Sequence, residues 1–131
     1  MIRINKKGFT FVEAIVAITL VGIVFLPLMR LFTVAIDSIN ETKVQTTAVS
    51  LAREYMEKVK NLNLTEKGYK RLNEVDYFPP LKKEPFEINN ERWRIKRVIH
   101  KNTDPLRIDF YVYIEGKKEP IYSLSTLIED L

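Results

Sequence analysis

KKGFTFVEAIVAITLVGIVFLPLM, residues 6–29, holds a single carboxylate, Glu13, in a run that is otherwise uncharged from Gly8 onward. The rest of the stretch suits hydrocarbon. Residues 9–29 make 21 positions, which at ~1.5 Å per residue cover the ~30 Å core of a bilayer. An acid inside such a segment costs on the order of 3 kcal/mol on insertion scales, so a membrane helix retains one when it has a partner or a task. What Glu13 does there decides how the remainder of the chain is read.

The chain has 131 residues and carries 21 Lys+Arg against 17 Asp+Glu, a net charge of +4. That length leaves room for one modest domain beyond the apolar run. Arg3, Lys6 and Lys7 precede the run, and without them the basic and acidic counts are 18 and 17, a net of +1. A remainder so close to neutral has no global electrostatic footprint for a polyanion. Cysteine is absent and His100 is the single histidine. A disulfide framework, a thiolate metal site and a cysteine nucleophile are therefore excluded. As a secretory signal the run is too long for an h-region of roughly 7–15 residues, and its small-residue cleavage candidate, Thr33-Val34-Ala35, follows Arg30. A plain anchor accounts for the length but leaves Glu13 and the residues before it unexplained.

Those leftovers, Lys6-Lys7-Gly8-Phe9-Thr10-Phe11-Val12-Glu13, resemble the leader junction of type IV pilins and of the pseudopilins of type II secretion systems. In that family a short basic leader ends in glycine, phenylalanine usually follows, and a glutamate stands fifth after the cut, ahead of about twenty apolar residues. The resemblance makes residues 1–8 the leader and Phe9 the first mature residue, with Glu13 in the fifth place. Gly22 also falls where many members carry glycine. Phe11 and Val12 stand in for the commoner leucine or isoleucine, and Pro27 lies three positions before the family's usual proline. The resemblance implies cleavage after Gly8 by prepilin peptidase and N-methylation of Phe9 by the same peptidase/methyltransferase. It also implies assembly in which Glu13 of an incoming subunit meets the Phe9 amine of one already docked. The implied partners are other pilin or pseudopilin subunits, the membrane platform protein of the assembly machine and the lipid bilayer.

Physical reasoning supports the same junction. Glycine removes side-chain obstruction beside a bond that must be cut. Arg3, Lys6 and Lys7, directly before the apolar run, favour a cytoplasmic N-terminus, which puts the C-terminal domain of a single-pass inner-membrane protein outside the cytoplasm. Once the leader is removed, the Phe9 α-amine and Glu13 lie four residues apart on one helix face.

Beyond the bilayer, Ile36, Ile39, Val44, Ala48, Leu51, Ala52, Tyr55, Val59 and Leu62 recur mostly at steps of three and four, the pattern of an amphipathic helix. The helix is expected to run over residues 9–62, with Gly68 as a plausible stop. Leu106, Ile108, Phe110, Val112 and Ile114 alternate with polar or tyrosine positions, a strand pattern. Residues 115–119 allow a hairpin into residues 121–128, and Asn89-Asn90 suggests a turn between residues 86–88 and 93–99. Val98-Ile99 breaks the alternation begun by Trp93 and Ile95, which predicts a bulge near Arg97. The proline-rich segment 65–85 reads as a loop. The expected fold is α+β and pilin-like: a long N-terminal α-helix, its first half membrane-spanning, packed on a small antiparallel β-sheet of three to four strands. Its divisions are a leader at 1–8, a transmembrane and assembly half at 9–32, an amphipathic half at 33–64 and a loop-and-sheet domain at 65–131.

No phosphate-binding glycine loop, nucleophile elbow or histidine pair is present in the sequence, so no enzyme, cofactor or metal is predicted. Asp104, Asp109, Glu129 and Asp130 lack the dense oxygen spacing calcium prefers. Asn40-Glu41-Thr42 and Asn63-Leu64-Thr65 match a glycosylation pattern too short to weigh. Arg92, Arg94, Lys96, Arg97 and Lys101 surround Trp93, either as a solvated strand face or as contacts to phosphates and bases. Two functions stand. One is a structural minor pilin-like subunit, a pseudopilin. The other is a minor pilin whose Arg92, Arg94, Lys96 and Arg97 bind DNA or a surface for uptake or adhesion.

Overall fold

The computed structural model describes residues 8–129. In chain order the elements are helix α1 (Phe11–Lys60), a short helix α2 (Glu66–Lys70), and strands β1 (Val75–Phe78), β2 (Phe86–Ile88), β3 (Glu91–His100), β4 (Leu106–Ile114) and β5 (Tyr122–Ile128). Two compact units divide the chain, one reaching to Glu41 and the other starting at Thr42.

In the first unit α1 is exposed along its whole length. It is continuous through Pro27, which has no N–H to donate to the carbonyl four residues back. The two threonines of this stretch, Thr19 and Thr33, turn their hydroxyls back onto the carbonyls of Ile15 (2.8 Å) and Met29 (3.1 Å). Polar atoms on an apolar helix are thereby satisfied within it, as hydrocarbon requires.

In the second unit, the remainder of α1 buries Ala48, Leu51, Ala52 and Val59, with Val44, Tyr55 and Met56 at the margins. Opposite them lie Trp93, Ile95 and Ile99 of β3 and Leu106, Ile108, Phe110, Val112 and Ile114 of β4, all in the same core. Each such side chain contributes about 1.5–3 kcal/mol by leaving water. Ala48 and Ala52 are fully enclosed, and a larger residue at either would overpack the core by about 1–3 kcal/mol. The indole N–H of Trp93 donates to the Ile88 carbonyl at 3.1 Å, so a polar atom inside the core has its partner.

All strand pairs are antiparallel, in the order β1-β3-β4-β5, with β2 also paired to β3. The α+β, pilin-like architecture is therefore the observed one, on a sheet of five strands rather than three or four. The additional strand, β1, lies in the segment expected to be loop. Its sequence, VDYF, is four residues long and stops at Pro79-Pro80, too short to display a period. Pairing of Val75 with Val98 through Phe78 with Ile95 holds it in place.

Three further expectations change. The helix stops at Lys60, not near Gly68: the chain tightens through Leu62 N–H to Val59 O and Asn63 N–H to Lys60 O (3.2 Å each), and Asn63 adopts φ 46°. Asparagine tolerates that left-handed conformation better than most residues. Gly68 instead lies inside α2, where Thr65 caps the helix by accepting from the Gly68 N–H at 3.3 Å. Tyr69 of α2 donates its hydroxyl to the Val59 carbonyl at 3.0 Å, tying α2 to the end of α1. There is no bulge near Arg97, since β3 and β4 pair without interruption from Trp93–Ile114 to His100–Arg107. Arg97, expected on a solvated strand face or at phosphates and bases, instead takes an inward position. The turn at Asn89-Asn90 is as expected, with φ 53° and 63°, the left-handed pair a two-residue hairpin uses.

Candidate functional site

Phe9 is 89% exposed and Gly8 has open space around it, with nothing within 4 Å of where a Cβ would sit. The bond between them lies just ahead of α1, in chain that is exposed and outside any helix or strand among the described residues. The helix begins at Phe11 because Thr10 and Glu13 cap it reciprocally. The Glu13 N–H donates to Thr10 Oγ1 at 3.2 Å, and the Thr10 N–H donates to Glu13 Oε2 at 3.0 Å. The Thr10 hydroxyl lies 3.4 Å from the same oxygen. This is a capping box, in which two backbone donors that the helix cannot satisfy are satisfied by two side chains. The Ala14 N–H to Thr10 O bond, 3.1 Å, closes the first turn.

Glu13 thus has a local partner that the sequence reading missed. The signal was present as Thr10-x-x-Glu13, the capping-box spacing. Its carboxylate is held on Thr10, while Phe9, four residues earlier, has its nitrogen in the amide to Gly8. Arg3, Lys6 and Lys7, the expected leader charges, lie outside the described residues. Within α1 the helix is long and apolar enough to cross a membrane.

The second sequence candidate, the basic strand, is dispersed by the pleat. Arg97 faces the core at 5% exposure, pairs with Asp76 and lies 5.4 Å from the centre of the Phe78 ring. Burial lowers its pKa from the usual guanidinium value, and Asp76 partly restores it. Its Nε has no hydrogen-bond partner among the described residues. Arg94 is on the opposite face, where its guanidinium donates to the carbonyls of Pro79 (2.7 Å), Pro80 (2.8 Å) and Lys83 (3.0 Å). Arg92 pairs with Glu115 at 2.9 Å. Of the four residues, Lys96 alone has a side chain with no hydrogen bond or ion pair among the described residues.

Asp109 is 2% exposed although it lies on the sheet face away from α1. Its carboxylate accepts from Ser125 Oγ (2.6 Å), Arg107 Nε (2.8 Å) and Tyr111 OH (3.3 Å), and His100 Nε2 is 2.7 Å away. Burial pushes this carboxyl up, but the hydrogen bonds from Arg107, Ser125 and His100 outweigh it and hold the pKa below the usual carboxylate range. Asp109 is therefore occupied by its own chain. Asp104 and Glu129 are exposed, and Asp130 lies outside the described residues. Among the described residues no three His, Cys, Asp or Glu side chains converge to hold a metal ion.

Residues 3–29 match the family model described as the prokaryotic N-terminal methylation motif. No curated protein and no solved structure matches the chain.

Proposed function

From the premise that residues 3–29 carry the type IV pilin and pseudopilin signal, we propose that this chain is a structural minor pilin-like subunit, a pseudopilin, of a type II secretion or type IV pilus-like filament. It inserts in the cytoplasmic membrane through the first half of α1, with the C-terminal domain outside the cytoplasm. Prepilin peptidase hydrolyses the Gly8–Phe9 amide, releasing the leader with a new carboxylate and leaving Phe9 with a free α-amine, which is then methylated. The membrane platform protein and neighbouring subunits receive the mature chain through its N-terminal helix.

The observation that carries this reading is the junction itself. An unobstructed glycine–phenylalanine bond stands directly before a capped helix whose exposed apolar run contains one acid, at the fifth mature position. In the mature chain the Phe9 amine and the Glu13 carboxylate can neutralise each other between adjacent subunits, which offsets the burial of both charges and sets axial register. Arg92, Arg94 and Arg97 are each engaged by this chain's own carboxylates or carbonyls, so the DNA- or surface-binding alternative is not carried forward.

Intact-mass measurement on protein from the native host tests the reading. The expected chain begins at Phe9 and carries one methyl group. A mature chain beginning at Met1, or after Ala35, overturns it.

A further inference from the structure

The pleat that disperses one basic cluster builds another. On the sheet face away from α1, Lys96 of β3 stands in register between Tyr77 of β1 and Tyr111 of β4. Tyr113 is two residues along from Tyr111 on the same face, opposite Arg94. The turn between β4 and β5, with Gly116 at φ 86°, adds Lys117 and Lys118. Tyr77, Arg94, Lys96, Tyr113, Lys117 and Lys118 line an open cleft of about 340 Å³. Arg94, tied to three carbonyls, is a fixed wall rather than a free cation. The carboxylate that lines the cleft, Glu115, is paired with Arg92. Among the described residues the ammonium groups of Lys96, Lys117 and Lys118 and the hydroxyls of Tyr77 and Tyr113 have no hydrogen-bond or ion-pair partner.

Lys96 is half-buried. Its ammonium has no counter-charge among the described residues, and an anion entering the cleft would supply one. We propose that this cleft binds a side-chain carboxylate on an acidic segment of a partner polypeptide. The charge complementarity is local. Beyond the leader the chain carries a net of only +1, so it offers neither the long-range field nor the extended basic stripe by which a nucleic-acid backbone is held. Tyrosine walls with a few placed cations suit a protein partner, since tyrosine gives broad contact at low entropic cost and a hydroxyl for hydrogen bonding. The cleft uses no residue of α1, so the proposal does not depend on the filament reading.

The test is a calorimetric titration of the full chain in detergent micelles. The probe is an acetylated, amidated peptide of alternating glutamate and glycine, whose side chains are its only charges, compared with its glutamine counterpart, inorganic phosphate and a thymidine oligonucleotide. The expected result is saturable binding of the glutamate peptide, weakened about tenfold or more both by glutamine in the peptide and by Lys96→Gln. Lys96→Arg should retain binding, and Lys60→Gln, on exposed α1 surface outside the cleft, should leave it unchanged. Should Lys96→Gln perturb the circular dichroism spectrum, the double variant Lys117→Gln/Lys118→Gln on the exposed turn takes its place, with the same loss expected. Absence of saturable binding overturns the proposal. So does an equal loss in Lys60→Gln, which would indicate unspecific attraction. Lys96-dependent binding of phosphate or the oligonucleotide as tight as that of the glutamate peptide would overturn the assignment to a carboxylate.

Discussion

The two parts of α1 share one helix and satisfy different solvents. From Phe11 to Glu41 every residue is exposed, whereas from Thr42 to Lys60 the helix buries Ala48, Leu51, Ala52 and Val59 against its own sheet. Both parts form helix, so backbone preference does not separate them. What separates them is where the apolar surface goes: the second part has an apolar stripe along one side that matches one sheet face, while the first is free of charge around its circumference from residue 14 to residue 29. A helix apolar all round needs lipid or other chains. The comparison shows that the length of a helix says nothing about what will surround it, and that the width of its apolar surface does.

The strongest way to break this comparison is to separate the parts. A chain starting at residue 33 should be soluble without detergent and give an α+β circular dichroism spectrum, because it keeps the stripe and the sheet it covers. An unfolded spectrum would mean that the second part of α1 depends on the first.

A sharper test changes one atom pair at the start of the first part. Glu13→Gln keeps the capping box, since glutamine can also accept from the Thr10 N–H, but removes the charge. Membrane insertion should be unimpaired and the leader still removed, while incorporation into a filament or partner complex falls by about tenfold or more. Incorporation at the normal rate, measured by co-purification with partner subunits, would show that Glu13 acts through the cap alone.

Within the second part, Asp76→Ala should destabilise the domain by about 2–4 kcal/mol, because it leaves the Arg97 guanidinium enclosed without its counter-charge. Arg97→Met should cost much less, since it removes the need for one. Equal losses of melting temperature in the two variants would contradict this account of the pair.

The smallest expected effect is a pH slope. Asp109 has its folded pKa depressed, so its contribution to stability is present above the unfolded value, near 4, and is lost as the pH falls through the folded pKa. Asp109→Asn should flatten the dependence of melting temperature on pH at and below about 4. An unchanged acid slope would mean that Asp109 is not among the groups that set it.

How much of this was legible in the sequence depended on periodicity. The stripe on α1 and the alternation of β4 each repeat often enough to be read, and the asparagine pair announces its own turn. β1 is too short for a period, and its pairing with β3 depends on residues some twenty positions away. Arginine usually faces solvent, so residue type points Arg97 outward, and only Asp76, brought alongside by the short strand β1, makes the inward position tolerable. The Thr10–Glu13 cap was legible but overlooked, because the glutamate already had an explanation. The cleft around Lys96 was beyond reach, since it joins residues of β1, β3 and the β4–β5 turn through sheet register alone.

Both donors of Thr10 converge on one oxygen of Glu13, Oε2, and among the described residues Oε1 has no hydrogen bond. A carboxylate divided in this way can serve two clients at once. When a neighbour's terminal amine arrives, it can take Oε1 while Thr10 keeps Oε2, so the first turn need not unwind for the charge to be shared. On the proposed pairing, docking would add a contact to a helix end that is already capped, with its acid aimed in advance.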